Sequence, residues 1–431
     1  MSGLRLGCIA DDITGATDLA NALVGRGVST QIVFGVPRLS MTIDPGVGAI
    51  VVALKTRTAP VDDARRQSIE SARWLISVGA TQLYVKYCST FDSTSQGNIG
   101  PVTEALADVL GSRIIAHAPS YPSMGRTLYN GNLFVHGVPL NETSMREHPL
   151  TPMRDSNLVR VLASQSARPV ALIDLDVVRG GEASLRRGLQ RLDGDATTHV
   201  LVDMTDDSDI ATLASALDGV PGVLAAGSAG LGAAIGAQAL SSGPASVGLT
   251  VPSGPGAALC GSASMTSRGQ IAAFARHYPT TLLSPLDLAG DPELAASTAR
   301  WAIDLLNEDP LRPVLIAADA QPESIAIAQE QLGAAHAAQL LEDALGVIAR
   351  RLVESGVRRL VVAGGESSGA VVAALGLKQA AIGQPLEPGV PWLFPVGEDY
   401  AVAFKSGNFG GEDFFASAFV RTPPPNQEAS A

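Results

Sequence analysis

Short apolar runs alternate with stretches of helical spacing along most of the chain. In the first half the runs are LRLGCIA, TQIVF, AIVVAL, LYVKY, RIIAHA, PVALIDL, THVLVDM and GVLAAG. Between them apolar residues recur at helical spacing, for example over 62–78 and 99–110. This alternation is typical of βαβ units and predicts a parallel sheet flanked by helices.

Two segments depart from the alternation. In LYNGNLFVHGVPL the dipeptide Asn130-Gly131 lies between apolar stretches, which predicts an inserted β-hairpin because this dipeptide favours a two-residue turn. The second segment, SSGPASVGLTVPSGPGA over 241–257, is rich in Ser, Gly and Pro and has no helical period. This composition favours a flexible linker, so we place a domain boundary there.

A second alternating series follows this linker. Its apolar runs are AALCGS, TTLLS, PVLIAA and RRLVVAGG, separated by a helix that ends near 278, a long helix from 292 and another helix. After Gly383 the pieces PWLFPV and YAVAFKSG predict a mixed β-region before a last helix. We therefore expect an α/β protein with two domains, 1–240 and 258–422, each with a largely parallel sheet flanked by helices. The C-terminal sheet is expected to be mixed, and the tail 423–431 to be disordered.

Length and charge narrow the classes of partner. With 431 residues the chain exceeds what one hydrophobic core usually serves, which agrees with two domains. A net charge of −12 argues against nucleic acid or an anionic membrane as the main partner, because both need a basic surface. No apolar stretch reaches the ~18 residues of a membrane span. The N-terminus lacks the pattern of a signal peptide, so we expect a cytoplasmic protein.

The three cysteines are far apart along the chain. Cys8, Cys88 and Cys260 form no C-x-x-C pair. This spacing predicts reduced core thiols and indicates neither a disulfide framework nor a zinc site.

Two adjacent aspartates directly follow the first apolar run. One of them could simply cap the helix that begins there, with the second favoured by the helix dipole. However, a cap needs a single acid, and Thr14 could also serve. Because open α/β sheets bind ligands at the carboxyl ends of their strands, we expect Asp11 or Asp12 to accept a proton from a substrate hydroxyl.

Basic residues stand at other predicted strand ends. Lys55 and Arg57 follow AIVVAL, Lys86 lies in LYVKY, and Lys405 lies in YAVAFKSG. The chain has four lysines in all, so three of them stand at such ends. Snorkelling strand ends would explain this without function. A substrate carboxylate held between the aspartates and these cations explains it better, so we expect an anionic substrate.

The second half contains three glycine-rich turns, each directly after an apolar run. They are LCGSASMTSRGQI, LVVAGGESSGAVV and FKSGNFGGEDFF. Glycines allow close approach of the backbone to phosphates, and helix N-termini favour their charge. Together the three turns favour a nucleotide site over chance turns.

Other enzyme classes fit less well. The segment Gly365–Gly369 matches G-x-S-x-G, but an α/β-hydrolase needs a histidine after its serine and His336, the last in this chain, lies before Ser367. The P-loop pattern G-x-x-x-x-G-K-[ST] is absent, no G-x-G-x-x-G follows the first strand, and no H-x-x-x-H occurs among six histidines.

Several long motifs resemble the four-carbon acid sugar kinase family. They are ADDITGATDLA, KYCSTFDSTSQGNIGP, HPLTPMRDSNLVRVL, VVAGGESSGAVV and KSGNFGGEDFF, and the resemblance extends from about 4 to 419. It is closest to the branch that phosphorylates 3-oxo-tetronate at C4. It implies that 1–240 binds the sugar acid and that 258–422 binds ATP.

The resemblance also implies a reaction and the residues that contact ATP. ATP would phosphorylate the terminal hydroxyl of a four-carbon 3-oxo acid, giving 3-dehydro-4-phosphotetronate. From their placement at the end of the first strand we expect Asp12 or Asp11 to be the base, and we expect Mg²⁺ to neutralise the triphosphate. The residues expected to contact the substrate are Asp11, Arg57, Lys86, Ser89 and Thr90. Those expected to contact ATP are Ser262, Ser264, Gly364, Gly365, Glu366, Ser367, Gly407 and Asn408. The metal ligands and a homodimer are left open, as are D-threonate or D-erythronate as substrate and a sugar-acid sensor that binds nucleotide without turnover.

Overall fold

The computed structural model describes residues 4–148, 150–239 and 249–420. The chain divides into two compact units, Met1–Val247 and Gly248–Ala431. Of the predicted linker, 241–248 lies outside the described residues, and its last two residues begin a strand. The predicted disordered tail 423–431 also lies outside them. Both units are built from alternating strands and helices, which confirms the α/β fold class.

The first unit contains a parallel sheet. Its strands, in chain order, are β1 (Leu6–Ala10), β2 (Thr30–Phe34), β3 (Ala49–Ala53), β4 (Gln82–Lys86), β5 (Ile114–Ala118), β6 (Arg126–Tyr129), β7 (Asn132–Val135), β8 (Val138–Pro139), β9 (Val170–Ile173), β10 (Thr198–Val202) and β11 (Val223–Gly227). Eight of them pair in the order β2-β3-β1-β4-β11-β5-β10-β9, all in parallel. These eight are the predicted apolar runs. Most are buried along their whole length, as expected for strands covered on both faces.

The α-helices of this unit connect its strands. They are α1 (Ile13–Val24), α2 (Val61–Ser77), α3 (Ile99–Leu110), α4 (Leu158–Ala163), α5 (Leu175–Arg179), α6 (Glu182–Leu192), α7 (Asp207–Leu217) and α8 (Ala229–Ala239). The helix predicted over 99–110 is confirmed at both ends, and the one predicted over 62–78 begins and ends one residue earlier. Helices α2 and α3 contribute Trp74, Leu75 and Leu106 to one core cluster with the sheet.

The predicted hairpin is present as β6 and β7, to which β8 adds a third antiparallel strand. Its turn residues have positive φ, 49° for Asn130 and 71° for Gly131, as a two-residue hairpin turn requires. Both of their N–H groups donate to the Asp203 carboxylate, at 2.7 and 2.9 Å. This carboxylate anchors the turn at the end of β10.

The second unit contains the mixed sheet. Its strands are β12 (Gly256–Cys260), β13 (Thr280–Leu283), β14 (Val314–Ala318), β15 (Arg359–Ala363), β16 (Gln379–Glu387), β17 (Val390–Pro395) and β18 (Ala401–Lys405). They pair in the order β13-β14-β12-β15-β18-β17-β16, with the last two pairings antiparallel. Strand β16 begins before Gly383 and was not predicted, because QAAIGQPLE contains glycine and proline and lacks a regular alternation.

The helices of the second unit are α9 (Met265–Ala275), α10 (Pro285–Gly290), α11 (Leu294–Glu308), α12 (Pro322–Leu332), α13 (Ala334–Glu354), α14 (Gly365–Leu375) and α15 (Phe414–Val420). The single helix predicted between β14 and β15 is two helices, because Gly333 adopts φ of 80° and interrupts the first. Among the described residues of the whole chain, no helix is both long and apolar enough to cross a membrane.

Candidate functional site

The polar residues predicted at three strand ends of the first unit lie together. Strands β3 and β4 flank β1 in register, so that Ala53 and Lys86 both pair with Ala10. The backbone N–H of Asp11 donates to Lys86 O at 3.1 Å, and its carbonyl accepts from Thr56 N at 2.9 Å. The carboxyl ends of β1, β3 and β4 therefore bring together Asp11, Asp12, Arg57 and Lys86.

The Arg57 guanidinium lies among three carboxylates. Its Nε and Nη2 donate to the two oxygens of Asp11 at 2.9 and 2.8 Å. Nη2 also donates to Asp12 at 2.8 Å, and Nη1 to Asp92 at 3.4 Å. Each guanidinium nitrogen thus contacts a carboxylate, and this fork fixes the orientation of Asp11 and Asp12.

Asp12 is the cap of helix α1. Its Oδ1 accepts from Gly15 N at 3.0 Å and its Oδ2 from the Thr14 hydroxyl at 2.7 Å. The capping interpretation is therefore right for Asp12. Asp11 has no such role, so capping explains only one of the two acids.

The two aspartates differ in electrostatic environment. Burial raises the pKa of Asp11 above its usual value, and Arg57 only partly offsets this. Burial also raises the pKa of Asp12, but Arg57, Lys86 and the two capping hydrogen bonds outweigh it, so the net pKa of Asp12 is lowered. Asp12 therefore remains ionised, while Asp11 is the more basic carboxylate.

Lys86 is buried, with 2% of its surface exposed. Its Nζ donates to the Tyr87 carbonyl at 3.1 Å. A Cβ on Gly15 would lie 2.9 Å from this Nζ and 2.4 Å from Asp12 Oδ1. The first turn of α1 thus needs glycine at this position so that the ammonium and the carboxylate can lie beneath it.

The loop after β4 completes the cluster. Thr90 donates to Asp92 at 2.5 Å, and Cys88 lies 3.0 Å from the Thr90 hydroxyl. Ser89 is half-buried. Phe91 and Asp92 both adopt positive φ, 65° and 43°, which non-glycine residues rarely do. The tight turn that results directs the Asp92 carboxylate at Arg57.

The three cysteines are free thiols. Cys8 and Cys260 are buried in the core, as predicted. Cys88 is only half-buried and lies in the loop of the cluster, so the prediction of a core thiol is wrong for this residue. It lies after the end of β4, in a turn in which the Phe91 N–H donates to the Cys88 carbonyl at 2.9 Å.

A cavity of about 30 Å³ lies beside this cluster. Among its lining residues are Asp11, Arg57, Lys86, Tyr87 and Asp92. A carboxylate at this position can accept a proton from a hydroxyl, and the buried ammonium beside it can hold an anion. Lys55, by contrast, is exposed at the surface.

Sequence reasoning missed Asp18, which lies on α1 six residues after Asp12. Burial raises its pKa to about 6, with Asp12 adding to the shift and Lys86 and Arg126 opposing it. Its position after Asp12 on a helix was visible, but the sequence did not show that both carboxyls face the same lysine.

We expect Asp18→Asn to stabilise the protein at neutral pH. Because the folded pKa is the higher one, the native state binds more protons than the unfolded state between pH 3.8 and about 6, so stability falls as pH rises through this window. Asparagine lacks this penalty, and since the carboxyl is partly exposed we expect a gain of about 1–2 kcal/mol at pH 7. Urea unfolding should show this gain at pH 7 and its loss near pH 4. The control Asp44→Asn, at an exposed carboxyl, should change neither value, and an equal effect of Asp18→Asn at both pH values would contradict the assignment.

In the second unit the three predicted glycine-rich loops lie side by side. They follow β12, β15 and β18, which are adjacent and in register at Cys260, Ala363 and Lys405. A Cβ on Gly261 would lie 2.0 Å from Ser367 Oγ, and one on Gly407 2.3 Å from Ser262 Oγ. The loops therefore pack backbone against side chain, which requires glycine.

The loop after β18 is held by several side-chain donors to its carbonyls. Lys405 Nζ donates to the carbonyls of Ser406, Gly407 and Phe409 at 3.0, 3.2 and 3.0 Å. The hydroxyls of Ser264 and Ser267 donate to the Gly407 carbonyl, at 2.7 and 3.0 Å.

Gln270, also on α9, holds further carbonyls of the same loop. Gln270 Nε2 donates to the carbonyls of Phe409, Gly410 and Gly411 at 3.1, 3.0 and 2.8 Å. In a trans peptide the C=O group and the following N–H group point in opposite directions. The N–H groups that follow these carbonyls therefore point away from the side-chain donors. There the Gly411 N–H already donates to the Glu387 carboxylate at 3.0 Å. Successive outward N–H groups of this kind bind anions.

The remaining predicted residues surround this loop. Ser264 caps α9 through Ser267 N, Gly364 precedes α14 with φ of 114°, and Gly365 and Glu366 begin that helix. Ser367 is only 5% exposed in its first turn. A nucleophile elbow exposes its serine, so the esterase interpretation does not fit. Within residues 4–148, 150–239 and 249–420, no group of three or more His, Cys, Asp or Glu side chains could hold a metal ion.

Comparison with known proteins agrees with this division of chemistry. Residues 6–235 match a family model described as a sugar-binding N-terminal domain, and 257–415 one described as a nucleotide-binding C-terminal domain. A 3-oxo-tetronate kinase of Burkholderia multivorans is 44% identical, over 96% of both chains, and one of Pseudomonas fluorescens is 42% identical, again over 96% of both. A crystal structure from Salmonella typhimurium LT2, provisionally described as a tRNA synthase, is 37% identical with a TM-score of 0.82, covering 96% of this chain and 98% of that one.

These matches define the class of protein as a nucleotide-binding kinase, a transferase. The chain belongs to the four-carbon acid sugar kinase family. The predicted family and enzyme class are therefore confirmed.

Proposed function

We propose that the protein transfers the γ-phosphoryl group of ATP to the 4-hydroxyl of a four-carbon 3-oxo sugar acid, giving 3-dehydro-4-phosphotetronate. The observation that carries this proposal is the cluster of Asp11, Asp12, Arg57 and Lys86 at one strand edge of the unit that matches a sugar-binding domain. The names of relatives at 44 and 42% identity support the choice of substrate.

In this proposal the acids and cations divide the work. Asp12, or Asp11, accepts the proton of the C4 hydroxyl. Lys86 and Arg57 hold the substrate carboxylate. Ser89 and Thr90 offer hydroxyls to the same ligand.

We assign ATP to the second unit, domain 258–422, and the sugar acid to domain 1–240, with 241–257 as the linker. The contacts would come from Ser262, Ser264, Gly364, Gly365, Glu366, Ser367, Gly407 and Asn408. The outward amides after β18 fit phosphate oxygens, since one of them already donates to a carboxylate. Mg²⁺ would neutralise charge on the phosphates when bound. It commonly takes most of its ligands from phosphate and water, so it does not need a cluster of side chains.

A panel of acceptors tests this function. We expect ADP release from Mg-ATP with 3-oxo-tetronate and at least tenfold lower kcat/KM with D-threonate and D-erythronate, because a site that hydrogen-bonds one oxygen pattern discriminates against another. The coupled assay should be repeated with Asp44→Asn as an unaffected control. Turnover with a plain tetronate instead would keep the kinase and change its substrate. No turnover with any of the three, together with binding of both ligands, would favour a nucleotide-binding sugar-acid sensor.

A further inference from the structure

A buried chain of hydrogen bonds crosses the first unit behind the acid cluster. Tyr87 Oη lies 3.2 Å from His117 Nδ1, and His117 Nε2 lies 2.9 Å from His199 Nδ1. His199 Nε2 lies 3.1 Å from Glu104 Oε1. The tyrosine and both histidines are at most 1% exposed. The chain thus connects the half-buried Glu104 on α3 with the residue that follows β4.

The donor and the acceptor of each hydrogen bond in this chain can be deduced by starting from Glu104. A carboxylate only accepts, so His199 donates through Nε2 and must accept at Nδ1. His117 then donates through Nε2 and accepts at Nδ1 from the Tyr87 hydroxyl. Burial lowers the pKa of both histidines, which agrees with neutral rings. One arrangement of protons satisfies all the links.

The outer end of the chain is fixed. The Ser166 hydroxyl donates to Glu104, and the Arg168 guanidinium lies 3.8 Å from the other Glu104 oxygen. Arg168 is itself held by both oxygens of Asp108, at 2.7 and 2.8 Å. Glu104 is therefore contacted by Ser166 and Arg168 on the segment before β9, and Asp108 on α3 holds Arg168 in place.

The inner end supports the strained loop. The Tyr87 ring packs edge-on against Phe91, with centroids 5.4 Å apart and planes at 79°. Phe91 and Asp92 hold positive φ, which persists only where the surroundings impose it. Asp92 in turn contacts the Arg57 guanidinium that orders the aspartate pair. A tyrosine fixed at its hydroxyl thus fixes the loop that reaches the site.

We propose that Tyr87, His117, His199 and Glu104 form a positioning network for phosphoryl transfer, which holds loop 88–92 and through it Asp92 and Arg57. The proposal rests on the proposed function of the acid cluster. None of the four acts on substrate. The network deepens the assignment of that site, because it positions the site's residues and adds no catalytic group.

Tyr87→Phe tests the proposal, because phenylalanine retains the ring against Phe91 and removes only the hydroxyl. We expect kcat to fall about 10- to 100-fold, because the catalytic groups would be misplaced, and KM for ATP to remain unchanged. His117→Asn, which breaks the middle link, should act in the same direction. The double variant should lose no more than the larger single effect, because both changes break one network.

Val200→Ala is the matched control, since Val200 neighbours His199 on β10, is fully buried and lies outside the network. It should lower Tm by as much as Tyr87→Phe while kcat remains unchanged. An equal fall of kcat in the control, or an unchanged kcat in Tyr87→Phe, would reduce the network to an ordinary part of the core.

A second measurement separates this proposal from the proposed function. Amide hydrogen exchange of residues 88–92 should become faster in Tyr87→Phe and not in Val200→Ala, whatever the substrate is. Wild-type protein inactive on all four-carbon acids would refute the function alone. Unchanged exchange in Tyr87→Phe would refute the network, whether or not the wild type is active.

Discussion

Asp12→Asn is expected to lower kcat by about 10²–10⁴-fold, the contribution of a positioned general base. Asparagine caps helices about as well as aspartate, so its Oδ1 can still accept from Gly15 N. The variant therefore removes the proton acceptor and keeps the start of α1. Steady-state kinetics with saturating Mg-ATP, together with Tm, measures both consequences.

Asp11→Asn is the matched comparison for this variant. It removes the same charge and alters two Arg57 contacts, at 2.9 and 2.8 Å, where Asp12→Asn alters one, but it affects no cap. A larger loss in Asp11→Asn would assign the base to the more basic carboxylate. A loss below about fivefold in Asp12→Asn would remove it as the base, and small losses in both variants would contradict a base in this pair.

The eight strands of the parallel sheet could be predicted because each is an apolar run, most of them buried along their whole length. Their order also follows in part from the sequence, since short connections favour neighbouring parallel strands. The positions of Asp11 and Lys86 at strand ends were therefore readable. The contact of Arg57 with Asp92 was not readable, because it depends on positive φ at Phe91 and Asp92, which no local pattern of residues indicated.

The buried histidines show the same limit. His117 and His199 lie within apolar runs and are 82 residues apart. Nothing in either run indicates the other. Only the adjacency of β5 and β10 in the sheet places the two rings at hydrogen-bond distance. Contacts of this kind depend on register, which the alternation of apolar and polar residues does not specify across distant strands.

Glycine-rich loops were the most informative signal in the second unit. Three of them follow strands that prove to be adjacent, and the steric requirement for glycine at Gly261 and Gly407 arises between loops. The sequence indicated each loop singly. It could not show that the lysine at the end of β18 turns back to hold its own loop.

That lysine provides the second large effect. We expect Lys405→Met to lower kcat/KM for ATP about 100-fold, because the loop loses three donors to its carbonyls and its outward amides lose their alignment with the phosphates. KM for the sugar acid should remain unchanged. The fold should persist, since Ser264, Ser267 and Gln270 still hold two of the three carbonyls.

The pKa of Lys405 predicts how this effect changes with pH. Burial lowers the pKa of Lys405 from 10.5 to about 8, so the side chain is mostly charged at pH 7 and mostly neutral at pH 9. The unfolded state binds more protons between these two pKa values, so the cost of burying the ammonium is full below pH 8 and disappears as the pH rises towards 10.5. Methionine lacks that cost, which offsets part of the lost hydrogen bonding in Tm at pH 7.

KM for ATP should therefore rise in the wild type between pH 7 and 9 and remain flat in Lys405→Met. Lys378→Met is the matched control, because this exposed lysine follows α14 in the same unit and belongs to none of the three loops. It should keep the wild-type pH profile. If Lys405→Met kept the wild-type KM for ATP, the loop after β18 would not bind the phosphates, and the nucleotide would have to be held by the loops after β12 and β15.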